Sequence, residues 1–132
     1  MLARAAQDYA EHLAAIDQMQ HDPNLRALKQ GENLAWKWSS RPNAAATANI
    51  YGTGGVDEWY VEVYDYDYYN TFDINKGPPK GSGHFTQVVW KDTERLGCGA
   101  SGDYVVCRYQ PQGNMRMGRN YASYVENVGE FL

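Results

Sequence analysis

Residues 83–90 read GHFTQVVW, and the side chain there with the widest chemistry is His84. Imidazole serves as acid, base or metal ligand near neutral pH. The stretch ahead of it holds Gly77, Gly81, Ser82, Gly83 and two prolines, so the backbone is free to deliver the ring to a chosen point. Behind it runs a compact apolar segment, and taken alone the whole reads as an ordinary core segment with one capped histidine. A second candidate is Glu62. Trp59, Glu62, Val63 and Tyr66 recur at i, i+3, i+4 and i+7, one face of a helix. Burying an unpaired charge costs roughly several kcal/mol, so Glu62 either snorkels to water or has a partner.

The elements that must position these groups follow from periodicity. Leu2, Ala6, Tyr9, Leu13 and Ile16 form the stripe of an amphipathic first helix, with His12 off the stripe and solvated. Asp22-Pro23 closes that segment and leaves His21 just past its C-terminal end. In GENLAWKW, residues 31–38, Leu34, Trp36 and Trp38 alternate with polar or small neighbours, which predicts a strand with Glu32 at its mouth. Residues Ser39 to Gly55 read as loop, and Asp57 as the N-cap of the helix that carries Glu62. For GHFTQVVW the pattern leaves helix and strand both open. Residues 94–101 and 104–109 predict a hairpin about Gly102-Asp103, and the tail includes room for a last short strand.

That hairpin sets Cys98 opposite Cys107, near enough for a disulfide and hence an oxidising compartment; the alternative is a pair of buried thiols. A length of 132 residues predicts one domain, residues 1–132, with no evident repeat or boundary. A net charge of -4 argues against nucleic acid, and no run approaches the ~20 apolar residues of a membrane span. The charged residues among the first 20 are not those of a secretory leader, and Leu2 excludes N-myristoylation as written. Eleven tyrosines suit half-buried surfaces and grooves.

GHFTQVVWKDT (83–93) and YVVCRYQPQGNM (104–115), together with GENLAW and WYVE, resemble the motifs of the CAP superfamily. Its members are cysteine-rich secretory proteins, insect venom antigens and plant pathogenesis-related proteins. The likeness covers essentially the whole chain, and the spacing from His21 to Glu32 resembles the Golgi-associated plant pathogenesis-related branch. It implies an α/β fold: a three-layer α-β-α sandwich with a central, mainly antiparallel sheet, an open cleft, and GHFTQVVW as a short helix. It also implies that His21, Glu32, Glu62 and His84 line the cleft, with Gln87, one helical turn below His84, as a supporting donor. Family members carry a further N-terminal helix, absent from this sequence. The expectation is therefore a fragment or alternative start, or a homodimer in which a second copy covers the gap.

Two imidazoles and two carboxylates suit a divalent metal, zinc foremost, which the fold would not require. No H-E-x-x-H motif is present, and no serine or cysteine with an adjacent base stands out: Ser82 lies in a loop and both cysteines look structural. The expected function is thus a binding protein, secreted and defence-related or lipid- or sterol-binding. Tyr64, Tyr69 and Phe72 match an aromatic spacing proposed for sterol contact, a weak motif. The alternatives are a metal-dependent hydrolase using the same cleft, a protein-interaction module and, for location, an intracellular membrane-peripheral site.

Overall fold

The computed structural model describes residues 1–36, 55–66, 74–116 and 118–129. The loop reading of residues 39–54, and Trp38, Tyr69 and Phe72, lie outside them. In chain order the elements are α1 (Leu2–Ile16), α2 (Leu25–Leu28), β1 (Gly31–Trp36), α3 (Gly55–Val61), a 3-10 turn (Glu62–Tyr64), α4 (Gly83–Val89), β2 (Arg95–Ser101), β3 (Tyr104–Gln110) and α5 (Ala122–Val128).

The strands form one antiparallel sheet in the order β1-β3-β2. β3 is central and buried from Tyr104 to Tyr109, because helices cover both of its faces. Its side chains alternate between the layers. Tyr104 and Val106 pack with Leu34 against Ala6, Tyr9, Ala10 and Leu13 of α1. Val105, Cys107 and Tyr109 pack with Ala35 against Trp59 of α3 on the opposite face. A third cluster, Tyr66, Phe85, Trp90, Tyr124 and Val128, joins α4 to α5. The result is the expected α-β-α layering.

Packing explains where pattern reading misled. GENLAW forms the strand its alternation predicts, but Leu34 and Ala35 are both buried and Trp36 is half exposed, because each face has its own helix layer. GHFTQVV is helical, its first turn held by a carboxylate described below. α3 begins at Gly55, so Asp57 lies inside it and is not its cap. The tail forms α5 in place of a strand, since Tyr124 and Val128, four apart, meet the α4 cluster. The polar connection after Pro23 forms α2, started by Asn24 N–H donating to Asp22 Oδ1 at 2.8 Å.

Two glycines set the distance between α1 and the sheet. A Cβ on Gly97 would lie 2.2 Å from Ala3 N, and one on Gly99 2.4 Å from Gln7 Cα, so α1 rests backbone-to-backbone on β2. Gln7 fastens this contact: its amide donates to Ala100 O at 2.9 Å and accepts from Ala100 N–H at 3.0 Å. Gly102 takes φ 58 at the hairpin turn, and Cys98 and Cys107 stand in register and are joined by a disulfide.

Candidate functional site

The site is built on β1, the strand at one edge of the described sheet. Successive strand residues point to opposite faces, so Glu32 serves the α1 layer and Asn33 the other. Each layer contributes one histidine–carboxylate pair.

On the α1 side, the Glu32 side chain is fully buried and its Oε1 lies 2.7 Å from His21 Nδ1. The same oxygen accepts the Asp22 N–H at 3.2 Å, which fixes the turn that presents His21. Oε2 meets Arg108 Nε at 2.8 Å, an ion pair rather than an aligned hydrogen bond. Arg108 is Glu32's direct cross-strand neighbour on β3. The hydrogen bond that His21 donates to Glu32 raises the His21 pKa above its ordinary value, with burial and the Arg108 charge pulling the other way. Burial pushes Asp22 up, but the Asn24 N–H and the Arg108 guanidinium outweigh it and leave the carboxyl below its usual range. Tyr9, whose ring lies over Arg108, is pushed up to about 12 by burial and then by the Glu32 and Asp22 charges.

On the other side, Glu62 opens the 3-10 turn that follows α3. Its Oε1 accepts the backbone N–H groups of His84 (2.9 Å) and Phe85 (3.2 Å), which α4 cannot satisfy within its own first turn. Its Oε2 lies 2.7 Å from His84 Nδ1. Glu62 is thus the partnered carboxylate that its stripe demanded: it caps α4 and orients the imidazole together. The buried Trp59 ring stacks on His84 at 5.8 Å, and Asn33 Nδ2 donates to His84 O at 3.2 Å. Asn114, at φ 54, donates to Gly83 O at 2.7 Å and holds the loop ahead of α4.

The two pairs face one pocket of about 230 Å³, whose walls include His21, Glu32, Asn33, Glu62, His84 and Asn114. In both rings Nδ1 is committed to a carboxylate, and no described residue bonds Nε2. With the proton on Nδ1, Nε2 presents a lone pair, fit to accept a proton or bind a metal. Among the described residues no three His, Cys, Asp or Glu side chains are grouped to hold an ion together.

Gln87 does not support His84. It lies buried beneath α4, donating to Thr93 Oγ1 at 3.1 Å and accepting from Gly113 N–H at 3.0 Å. One turn of helix separates the two residues along the axis, but their side chains diverge. Glu62, Asn33 and Trp59 are the described residues that contact His84. Tyr64 is 87% exposed and lines no part of the pocket. Arg108 escaped the sequence reading, although an arginine inside the apolar run YVVCRY is itself a signal: a charge on a central strand must be paired.

A sandwich of helices about an antiparallel sheet, with two His/Glu pairs at its edge, defines the class. The profile of the cysteine-rich secretory protein family, CAP, matches residues 1–109, and the chain belongs to that family. It is 35% identical over 132 residues to the human Golgi-associated plant pathogenesis-related protein 1, spanning 96% of this chain and 75% of that protein. It is 37% identical over 120 residues to Protein PRY2 of Saccharomyces cerevisiae, spanning 86% of this chain but 30% of the yeast protein. Among solved structures, BmVAL-1 superposes with a TM-score of 0.66 at 28% identity, covering 98% of this chain and 62% of its own. The crystal structure of NaASP2 with Zn2+ superposes at 0.64 and 25% identity, covering 91% and 61%. Relative to several of these proteins the chain therefore spans only 30% to 62% of their length.

Proposed function

We propose that the chain is a CAP-domain binding protein whose cleft takes a divalent cation, zinc foremost, on the imidazoles of His21 and His84. The observation that carries this reading is the pair of 2.7 Å Nδ1–carboxylate contacts, which leave Nε2 uncommitted in two histidines that line one pocket. Nitrogen ligands oriented by carboxylates suit zinc-like metals. The zinc named for the NaASP2 crystal structure supports the same choice. Glu32 and Glu62 then act as orienting groups and not as ligands, because their oxygens are already engaged by Arg108 and by backbone N–H groups. A cation there would supply a docking point for an anionic or carbonyl-bearing ligand. Hydrolysis through a covalent nucleophile is disfavoured because the hydroxyl and thiol candidates are tied elsewhere: Ser82 to Pro79 O, Thr86 to Asn114, and the two cysteines to each other. The disulfide and the secretory relatives support an extracellular site of action.

Zinc titrated calorimetrically into the metal-free protein tests this. Binding is expected in the wild type and weakened at least roughly tenfold in His84→Ala, the loss of one nitrogen ligand; equal heats in both would overturn the reading. Lipid or sterol binding is the second reading, favoured by the exposed Tyr60, Val61 and Tyr64 beside the Glu62 pair. Saturable sterol binding that falls in Tyr64→Ala would support it.

A further inference from the structure

β2 is the other edge of the described sheet, and one of its residues is bound as if a further strand lay beside it. Cys98 and Cys107 approach at a Cα–Cα distance of 4.1 Å, the narrow kind of antiparallel pair, whose N–H and C=O groups point away from the partner strand. By the alternation of the strand, Leu96 and Ala100 share that orientation. Ala100 shows it directly: its N–H donates to Gln7 Oε1 at 3.0 Å and its carbonyl accepts from Gln7 Nε2 at 2.9 Å. A primary amide carries the donor and the acceptor of a peptide group, so Gln7 occupies the edge as one residue of a neighbouring strand would. Glu11 steadies it, accepting from Nε2 at 3.1 Å. Among the described residues none bonds the outward groups of Leu96 or Cys98. Leu96 is 57% exposed, and residues 96–101 hold neither a charge nor a proline of the kind that blunts an edge.

We propose that the outer edge of β2 is a self-pairing surface for a second copy of this chain, and that Gln7 is the latch that keeps it shut. The register is self-complementary. An antiparallel pairing centred on Cys98 sets Ala100 of one copy against Leu96 of the other, so Ala100 exchanges its two bonds to Gln7 for the same two bonds to a backbone. Both β2 edges are used up in that pairing, and the assembly closes as a two-fold dimer. Nothing in it depends on the metal-binding reading.

Sedimentation and light scattering of the wild type, Gln7→Ala and Gln7→Glu over a range of protein concentrations test it. Gln7→Ala frees Ala100 and should dimerise on the order of tenfold or more tighter than the wild type, the scale of two hydrogen bonds that no longer compete. Gln7→Glu also loses the bond to Ala100 O, but it sets a charge on the edge and should associate no more than the wild type. A general loosening of α1 would make the two variants associate alike. That result, or no gain in Gln7→Ala, would overturn the proposal. Amide hydrogen exchange locates the contact: in Gln7→Ala the N–H groups of Leu96, Cys98 and Ala100 should gain protection as concentration rises, and a dimer that leaves them unprotected overturns it too. If Gln7→Ala does not fold by circular dichroism, Glu11→Ala takes its place, since it removes only the support of the amide, at an exposed position. The dimer fraction should then rise at matched concentration, and a fraction equal to that of the wild type would sink the idea.

Discussion

His21 and His84 make the same hydrogen bond in different surroundings, and the difference is measurable. The His21 imidazolium is favoured in the folded state by Glu32, so its contribution to stability is fully present below the ordinary imidazole pKa and fades as pH rises through the raised folded value. Asp22 runs the other way. Its carboxyl is depressed by Asn24 and Arg108 against the pull of burial, so its contribution is present above the ordinary carboxylate pKa and is lost as pH falls through the folded value. Following the His21 ring protons by NMR should give a midpoint above that of a free histidine, and Glu32→Gln should bring it down. An unmoved midpoint would mean that the 2.7 Å contact carries no charge preference. For Asp22, the acid limb of the unfolding profile should flatten in Asp22→Asn. At this scale the sequence spoke most clearly through misfits. Glu62 on an apolar face called for either water or a partner, and His84 behind a glycine loop read alone as an ordinary capped histidine until set beside Glu62, whereas Gln87 fits a helical face and its direction depends on a loop more than 20 residues away.

Among the elements, α1 and β2 are matched at backbone distance, which ties stability to the absence of two methyl groups. Gly99→Ala would place a Cβ 2.4 Å from Gln7 Cα, an atom that cannot swing aside, and should destabilise the protein by about 1–3 kcal/mol in urea unfolding. Gly83→Ala is the built-in control: a Cβ there meets nothing within 4 Å, and the change should stay within roughly ±0.5 kcal/mol. Equal losses in the two would refute the close approach. The helical stripe of α1 and the hairpin were legible because local periodicity and turn chemistry decide them. The state of GHFTQVV was not, because its first turn depends on Glu62, 22 residues upstream. The family motifs supplied that answer where the residue pattern alone could not. α5 was missed for a related reason: its buried face exists only against α4.

For the molecule as a whole, the disulfide and the edge strand matter most. Cys98 and Cys107 are nine residues apart within a hairpin already closed by its turn, so the link constrains a short loop. Cys98→Ser with Cys107→Ser should cost about 2–3 kcal/mol in chemical unfolding, toward the low end for such bridges, with the proposed zinc binding unchanged. Loss of zinc binding in the folded double variant would show that the bridge supports the cleft as well as the sheet. β1 has a consequence of a different kind. Because Glu32 and Asn33 face opposite layers, sliding this strand by one residue would turn the carboxylate away from His21 and leave Arg108 buried without its cross-strand partner. The ion pair therefore works as a key for alignment: misaligned pairings carry an orphaned charge, and only the native one assembles both halves of the cleft. The residues that equip the pocket also proofread the sheet that carries it.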